Sequence, residues 1–145
     1  MQVGKYSSLK LLLIQVFVIY LCFAEDAVFH FEQAAISVDE DQGSVVVNVV
    51  NTGNTSFNAT LRINLLDGSA NVFGDYVPPV TGEILNFQPG ETVRGITIVI
   101  IDDDLIEGPE QFNITFSIVS PSPGLTIGQP SVIQITITDD DAPAP

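Results

Sequence analysis

Along most of this chain, apolar residues recur at every second position in short runs, and that period admits strands and little else. The runs fall at residues 35–38, 44–50, 59–65, 83–87, 92–101, 112–118 and 132–137, rich in Val, Ile, Phe and Thr. Leu61, Ile63 and Leu65 alternate with Thr60, Arg62 and Asn64. Phe112, Ile114 and Phe116 alternate with Asn113, Thr115 and Ser117 in the same way. Turn signals separate the runs: Asp41-Gln42-Gly43, Thr52-Gly53-Asn54, Asp67-Gly68, Pro89-Gly90 and Gly108-Pro109. No segment carries a helical period of useful length. Seven short strands in about 110 residues predict an all-β fold, a seven-stranded antiparallel β-sandwich of immunoglobulin-like character.

The first 24 residues follow a different logic. Lys5 and Lys10 precede a nearly unbroken apolar run from Leu11 to Phe23, and the small residues Cys22 and Ala24 stand just before Glu25. This is the order of a secretory signal peptide, with an apolar stretch too short to span about 30 Å of hydrocarbon. Residues 1–24 are therefore expected to be removed. Residues 25–141 then form one domain, and Ala142-Pro143-Ala144-Pro145 is a stiff tail or linker. No later run is long enough to insert into a membrane. The expected location is secreted or extracellular, with room for the chain to be the N-terminal part of a larger membrane-anchored protein. Asn54, Asn58 and Asn113 each open a glycosylation acceptor sequence, which agrees with that location.

Loss of the leader leaves Arg62 and Arg94 against all 18 acidic residues, a formal charge of −16. Nucleic acid and anionic membrane surfaces are excluded as partners, because both need an excess of Lys and Arg. The single cysteine, Cys22, goes with the leader, so neither a disulfide nor a thiolate metal site can staple the domain. A secreted domain of this size without disulfides needs another source of rigidity.

The position of the acids suggests one. Successive strands of such a sandwich run in opposite directions, so the ends of odd-numbered strands share a pole. Every acidic cluster follows an odd-numbered strand: Asp39-Glu40-Asp41, Asp67 with Asp75, Asp102-Asp103-Asp104 with Glu107 and Glu110, and Asp139-Asp140-Asp141. The other pole carries Thr52-Gly53-Asn54-Thr55, Gln88-Pro89-Gly90-Glu91 and Pro121-Ser122-Pro123-Gly124. Two unit charges about 4 Å apart repel by roughly 4 kcal/mol at the effective dielectric of a protein surface. Ca²⁺ relieves such crowding, since it takes six to eight oxygen ligands and carboxylates bridge neighbouring ions. Mg²⁺ fits less well, and zinc would want nitrogen or sulfur where His30 is the sole histidine. The Asp102 run is not an EF-hand loop, because Ile106 and Glu107 stand where an oxygen ligand and a glycine are required.

The order of these pieces resembles the Calx-beta domain. The matching residues are Val38-Asp39-Glu40 before Gly43, and Asp67-Gly68-Ser69-Ala70 followed by Gly74-Asp75-Tyr76. Then come Leu85-Asn86-Phe87-Gln88-Pro89-Gly90-Glu91, Ile101-Asp102-Asp103-Asp104 with Glu107, Glu110 and Phe112, and finally Ile137-Thr138-Asp139-Asp140-Asp141. The resemblance covers residues 28 to 141. It implies a seven-stranded sandwich of two antiparallel sheets with calcium at one tip. The implied ligands are Glu40, Asp75, Asp102, Asp103, Glu107, Glu110, Asp139, Asp140 and Asp141. Asp104 is left out, since alternate residues leaving a strand point to opposite sides. The resemblance further implies a non-enzymatic module of adhesion, matrix or cell communication, binding more than one calcium ion and an extracellular protein or neighbouring module. The competing expectation is a metal-independent sandwich used for protein contact.

Overall fold

The computed structural model describes residues 26–79, 84–119 and 124–141. The expected signal peptide, the Ala-Pro tail, and the turn residues Pro121, Ser122 and Pro123 lie outside the described residues.

Two five-stranded sheets pack face to face. One runs in the order β5 (Tyr76–Val77), β7 (Val93–Ile100), β3 (Ser44–Asn51), β1 (Ala27–Phe31), β9 (Leu125–Ile127). The other runs β2 (Ala35–Asp39), β10 (Val132–Thr138), β8 (Glu110–Ile118), β4 (Ala59–Leu66), β6 (Ile84–Phe87). The sandwich is the expected one, but the described residues form ten strands instead of seven, and two of the pairings are parallel. The strands beyond the seven are β1, β5 and β9. Ala27, Phe29 and Phe31 are buried and alternate with half-buried Val28 and His30. After three exposed residues, 32–34, the chain resumes as β2 in the opposite sheet. β1 and β2 thus lie in opposite sheets and pair in parallel with β9 and β10 respectively. β5 and β9 are two and three residues long, too short to display any period.

The core is the set of inward-facing alternate positions. Three aromatic pairs join the two sheets. Phe29 meets Phe87 at 5.0 Å, Phe31 meets Phe116 edge-on at 5.0 Å, and Tyr76 stacks on Phe112 at 3.9 Å. All but Phe116 are essentially inaccessible. Such pairs add about 0.5–1.5 kcal/mol beyond their area burial.

The chain leaves β2, β4, β7 and β10 at a common pole. Its loops are tied there by backbone hydrogen bonds from Ile100 to Gly43 (3.1 Å) and from Ile101 to Asp75 (2.9 Å). At the other pole Gly90 donates to Thr55 (2.8 Å), Asn54 to Asp26 (3.1 Å) and Ala27 to Gly124 (2.7 Å). Glu91, at that end, lies 3.5 Å from Arg94.

Phe29→Ala is expected to cost about 3–5 kcal/mol in urea unfolding, since it opens a cavity between the sheets. Val46→Ala, on the exposed face of β3, should change stability by less than about 0.5 kcal/mol.

Candidate metal centre

Each loop at the acidic pole has a local reason for its shape. At the end of β2, Asp39 is still extended, and Glu40–Gln42 then form a single 3₁₀ turn. Gly43 ends the turn at φ +68° and donates its N–H to the Glu40 carbonyl, a conformation that favours glycine. The turn carries Glu40 inward, and only 7% of it stays accessible. Beyond β7, Asp103 Oδ1 accepts the Leu105 N–H at 2.7 Å and tightens the first bend. Farther along, the Glu107 N–H donates to Asp139 Oδ2 at 2.5 Å, joining this loop to the end of β10. Asp139 Oδ1 accepts the Asp141 N–H at 2.7 Å, so the last acidic run curls back on itself. In the β4–β5 loop, Asp75 Oδ2 accepts the Asn71 N–H at 2.6 Å.

These shapes bring carboxylates together in three groups, each with ligand atoms within 4.8 Å of one another: Glu40, Asp139 and Asp141; Glu40, Asp102 and Asp140; and Asp75, Glu107 and Glu110. Glu40 is common to two of them. A cavity of about 10 Å³ lies between Glu40, Asp75, Glu107, Glu110 and Asp139, floored by Ile101 and Ile137. That is close to the room one water-sized particle needs.

Burial and like charge act together on these carboxyls. Burial, then the charges of Asp139, Asp141, Asp103 and Asp140, raise the Glu40 carboxyl to about 7. Burial also raises Glu110, reinforced by the charge of Asp75, a hydrogen bond to Asp75 and the charge of Glu107. Asp141 is raised by burial and by Asp139, Asp104, Asp140 and Asp102. Glu40 Oε1 and Asp141 Oδ2 are buried without a hydrogen-bond partner. An orphaned oxygen beside other carboxylates costs free energy unless something positive meets it. The donors are all hard oxygens, from several chain segments, and they fit a multi-oxygen cation such as Ca²⁺.

Of the nine acids implied as ligands, eight fall in these groups. Asp103 does not: its bend leaves it exposed, and it acts on Glu40 by charge alone. Tyr76, which follows Asp75, is fully buried. Its phenol donates to Asp67 Oδ1. Burial, this hydrogen bond and the charges of Asp67 and Asp75 push the phenol up. The Asp67–Tyr76 link spans nine residues and has no local sequence signature.

Residues 24–141 match the family model for the Calx-beta domain. Sodium/calcium exchanger Calx of Drosophila melanogaster is 33% identical over 119 residues, which cover 81% of this chain and 12% of that protein. Extracellular matrix protein 3 of Lytechinus variegatus is 29% identical over 118 residues, covering 78% of this chain and 4% of that protein. Among solved structures, the calcium binding domain CBD12 of CALX1.1 superposes with a TM-score of 0.69 at 33% identity, covering 78% of this chain and 44% of that one. The chain thus spans a small fraction of the full length of the two relatives and less than half of that structure.

The raised Glu40 carboxyl predicts an unusual pH dependence for the metal-free protein. As pH rises from 4.5, Glu40 of the unfolded chain gives up its proton first, while the folded chain holds it to about 7. Stability therefore falls across that window, by a total on the order of 3 kcal/mol. Glu110 and Asp141 act in the same direction. Urea unfolding in EDTA between pH 4.5 and 8 should show this fall, and Glu40→Gln should flatten most of it.

Proposed function

The chain belongs to the Calx-beta domain family, and from that premise we propose that it is a calcium-binding module whose cations order the loops of the acidic pole. The observation that carries this reading is buried Glu40, with one oxygen unpartnered, shared by two of the three carboxylate groups. Glu40, Asp139 and Asp141 would hold one ion, and Glu40, Asp102 and Asp140 a second. Asp75, Glu107 and Glu110 would hold a third. Asp103 would contribute charge from beside the site. Bound calcium supplies positive charge and a demand for several oxygens, and the chain supplies those oxygens from loops already tied together at their backbones. Without the cation the loops are held by those backbone ties against mutual repulsion. A relative of the same fold is described as a calcium binding domain, which agrees with this assignment.

The proposed setting is extracellular, in adhesion, matrix or cell communication, with another extracellular protein or a neighbouring module as partner. The signal-like leader and the acceptor sequences support it, and so does the likeness to an extracellular matrix protein. Binding, and not catalysis, is the role assigned to the carboxylates. Among the acceptors, Asn58 is exposed just before β4. Asn54 is half-buried, its side chain accepting the Ser56 N–H. Asn113 is half-buried within β8, which lies between β4 and β10. A glycan at Asn58 would sit at the pole opposite the acids.

Two outcomes test this reading. Millimolar Ca²⁺, against EGTA, should raise the melting temperature by about 5 °C or more through preferential binding to the folded state. Mg²⁺ should do much less, and Glu40→Gln should abolish most of the calcium effect. A melting temperature indifferent to calcium would instead favour a metal-independent contact sandwich. In secreting animal cells, the protein should lose apparent mass on enzymatic deglycosylation, and Asn58→Gln should remove the largest part of that change.

A further inference from the structure

Asp67 lies at the acidic pole, yet it belongs to none of the three carboxylate groups found among the described residues. Its Oδ1 accepts the hydroxyl of Tyr76, whose ring is sealed against Phe112 at 3.9 Å and 12°. The two residues are the ends of the segment that delivers Asp75. Residues 68–70 of that segment are pinned to the start of β8, the strand that carries Glu110. The Gln111 N–H donates to Ser69 Oγ at 2.8 Å, and the Ala70 N–H donates to the Gln111 carbonyl at 3.0 Å. A Cβ at Gly68 would collide with that same carbonyl oxygen. Asp75 itself passes its carbonyl to the Ile101 N–H, just after β7. The Asp75 carboxylate thus has little freedom of its own. Its position relative to Glu107 and Glu110 follows from how the 67–76 loop is clamped, and the Tyr76–Asp67 bond closes that clamp.

We propose that Tyr76 and Asp67 are positioning residues for the Asp75–Glu107–Glu110 group, and that Asp67 serves as acceptor for the phenol and not as a ligand. This rests on the calcium reading above. A hydrogen bond between a neutral phenol and a carboxylate is charge-assisted and directional, so it fixes the loop ends better than packing alone. Tyr76→Phe keeps the stacked ring and removes the bond. Asp67→Asn keeps a carbonyl oxygen for the phenol and removes the charge, whereas Asp67→Ala removes both.

The test is calorimetric titration of Ca²⁺ into the full chain at fixed pH over a magnesium background, with melts in EGTA as a folding control. Tyr76→Phe and Asp67→Ala should weaken one class of calcium sites by about tenfold, the loss typical of disturbing groups that orient metal ligands. The remaining sites should keep their affinity, and Asp67→Asn should recover most of what Asp67→Ala loses. An unchanged titration in Tyr76→Phe would overturn the proposal. So would Asp67→Asn as weak as Asp67→Ala, because the site would then depend on the Asp67 charge and not on an acceptor for the phenol. Equal weakening of every site, with a lower melting temperature in EGTA, would make the pair a structural contact only and overturn it too. Absence of calcium binding by the unaltered chain would overturn the calcium reading itself, and this role with it.

Discussion

A buried carboxylate that lacks a partner for one oxygen and faces other carboxylates is among the costliest arrangements a small domain can hold, and Glu40 is in that position. The neighbouring features at the pole make sense in relation to it. The 3₁₀ turn ended by Gly43 is what aims Glu40 inward. The acids after β10 curl back through the Asp141 N–H donated to Asp139 Oδ1, and Asp139 and Asp141 group with Glu40. A proton relieves part of the cost, which is why the carboxyl is held near 7. A divalent cation relieves more, because one ion meets several oxygens at once.

The sandwich makes this convergence possible without help from a disulfide. Two sheets joined through three aromatic pairs form a stiff block. Four strands discharge their following segments at one end of it. The acids can then sit on loops, which tolerate charge and turn chemistry, while the strands beneath remain apolar. The opposite end is pinned by backbone hydrogen bonds between turns, so strain at the acidic end is borne by a frame that is closed elsewhere. Calcium would act on the loops far more than on the sheets.

Much of this was legible in the sequence. Alternation fixed the faces of β3, β4, β7, β8 and β10, because side chains of period two sort themselves between core and solvent. The grouping of the acids followed from counting strands, and it survived three unforeseen strands because none of them changed which ends share a pole. The parts that were not legible depend on contacts distant in sequence. Nothing local announces that residues 32–34 carry the chain from one sheet to the other, or that β9 pairs with β1 across almost a hundred residues. Asp103 looked like its neighbours in the run, but it accepts the Leu105 N–H and lies outside the three carboxylate groups. Asp67 looked like one more acid, and its real partner is a buried phenol.

The most direct measurement is a crystal structure grown in calcium, with anomalous scattering used to place the ions. The account predicts ions coordinated by Glu40 with Asp139 and Asp141, and by Asp75 with Glu107 and Glu110, with the Glu40 Oε1 and Asp141 Oδ2 oxygens no longer unpartnered. An acidic pole free of anomalous signal at millimolar calcium, with Glu40 protonated or turned out to solvent, would contradict it.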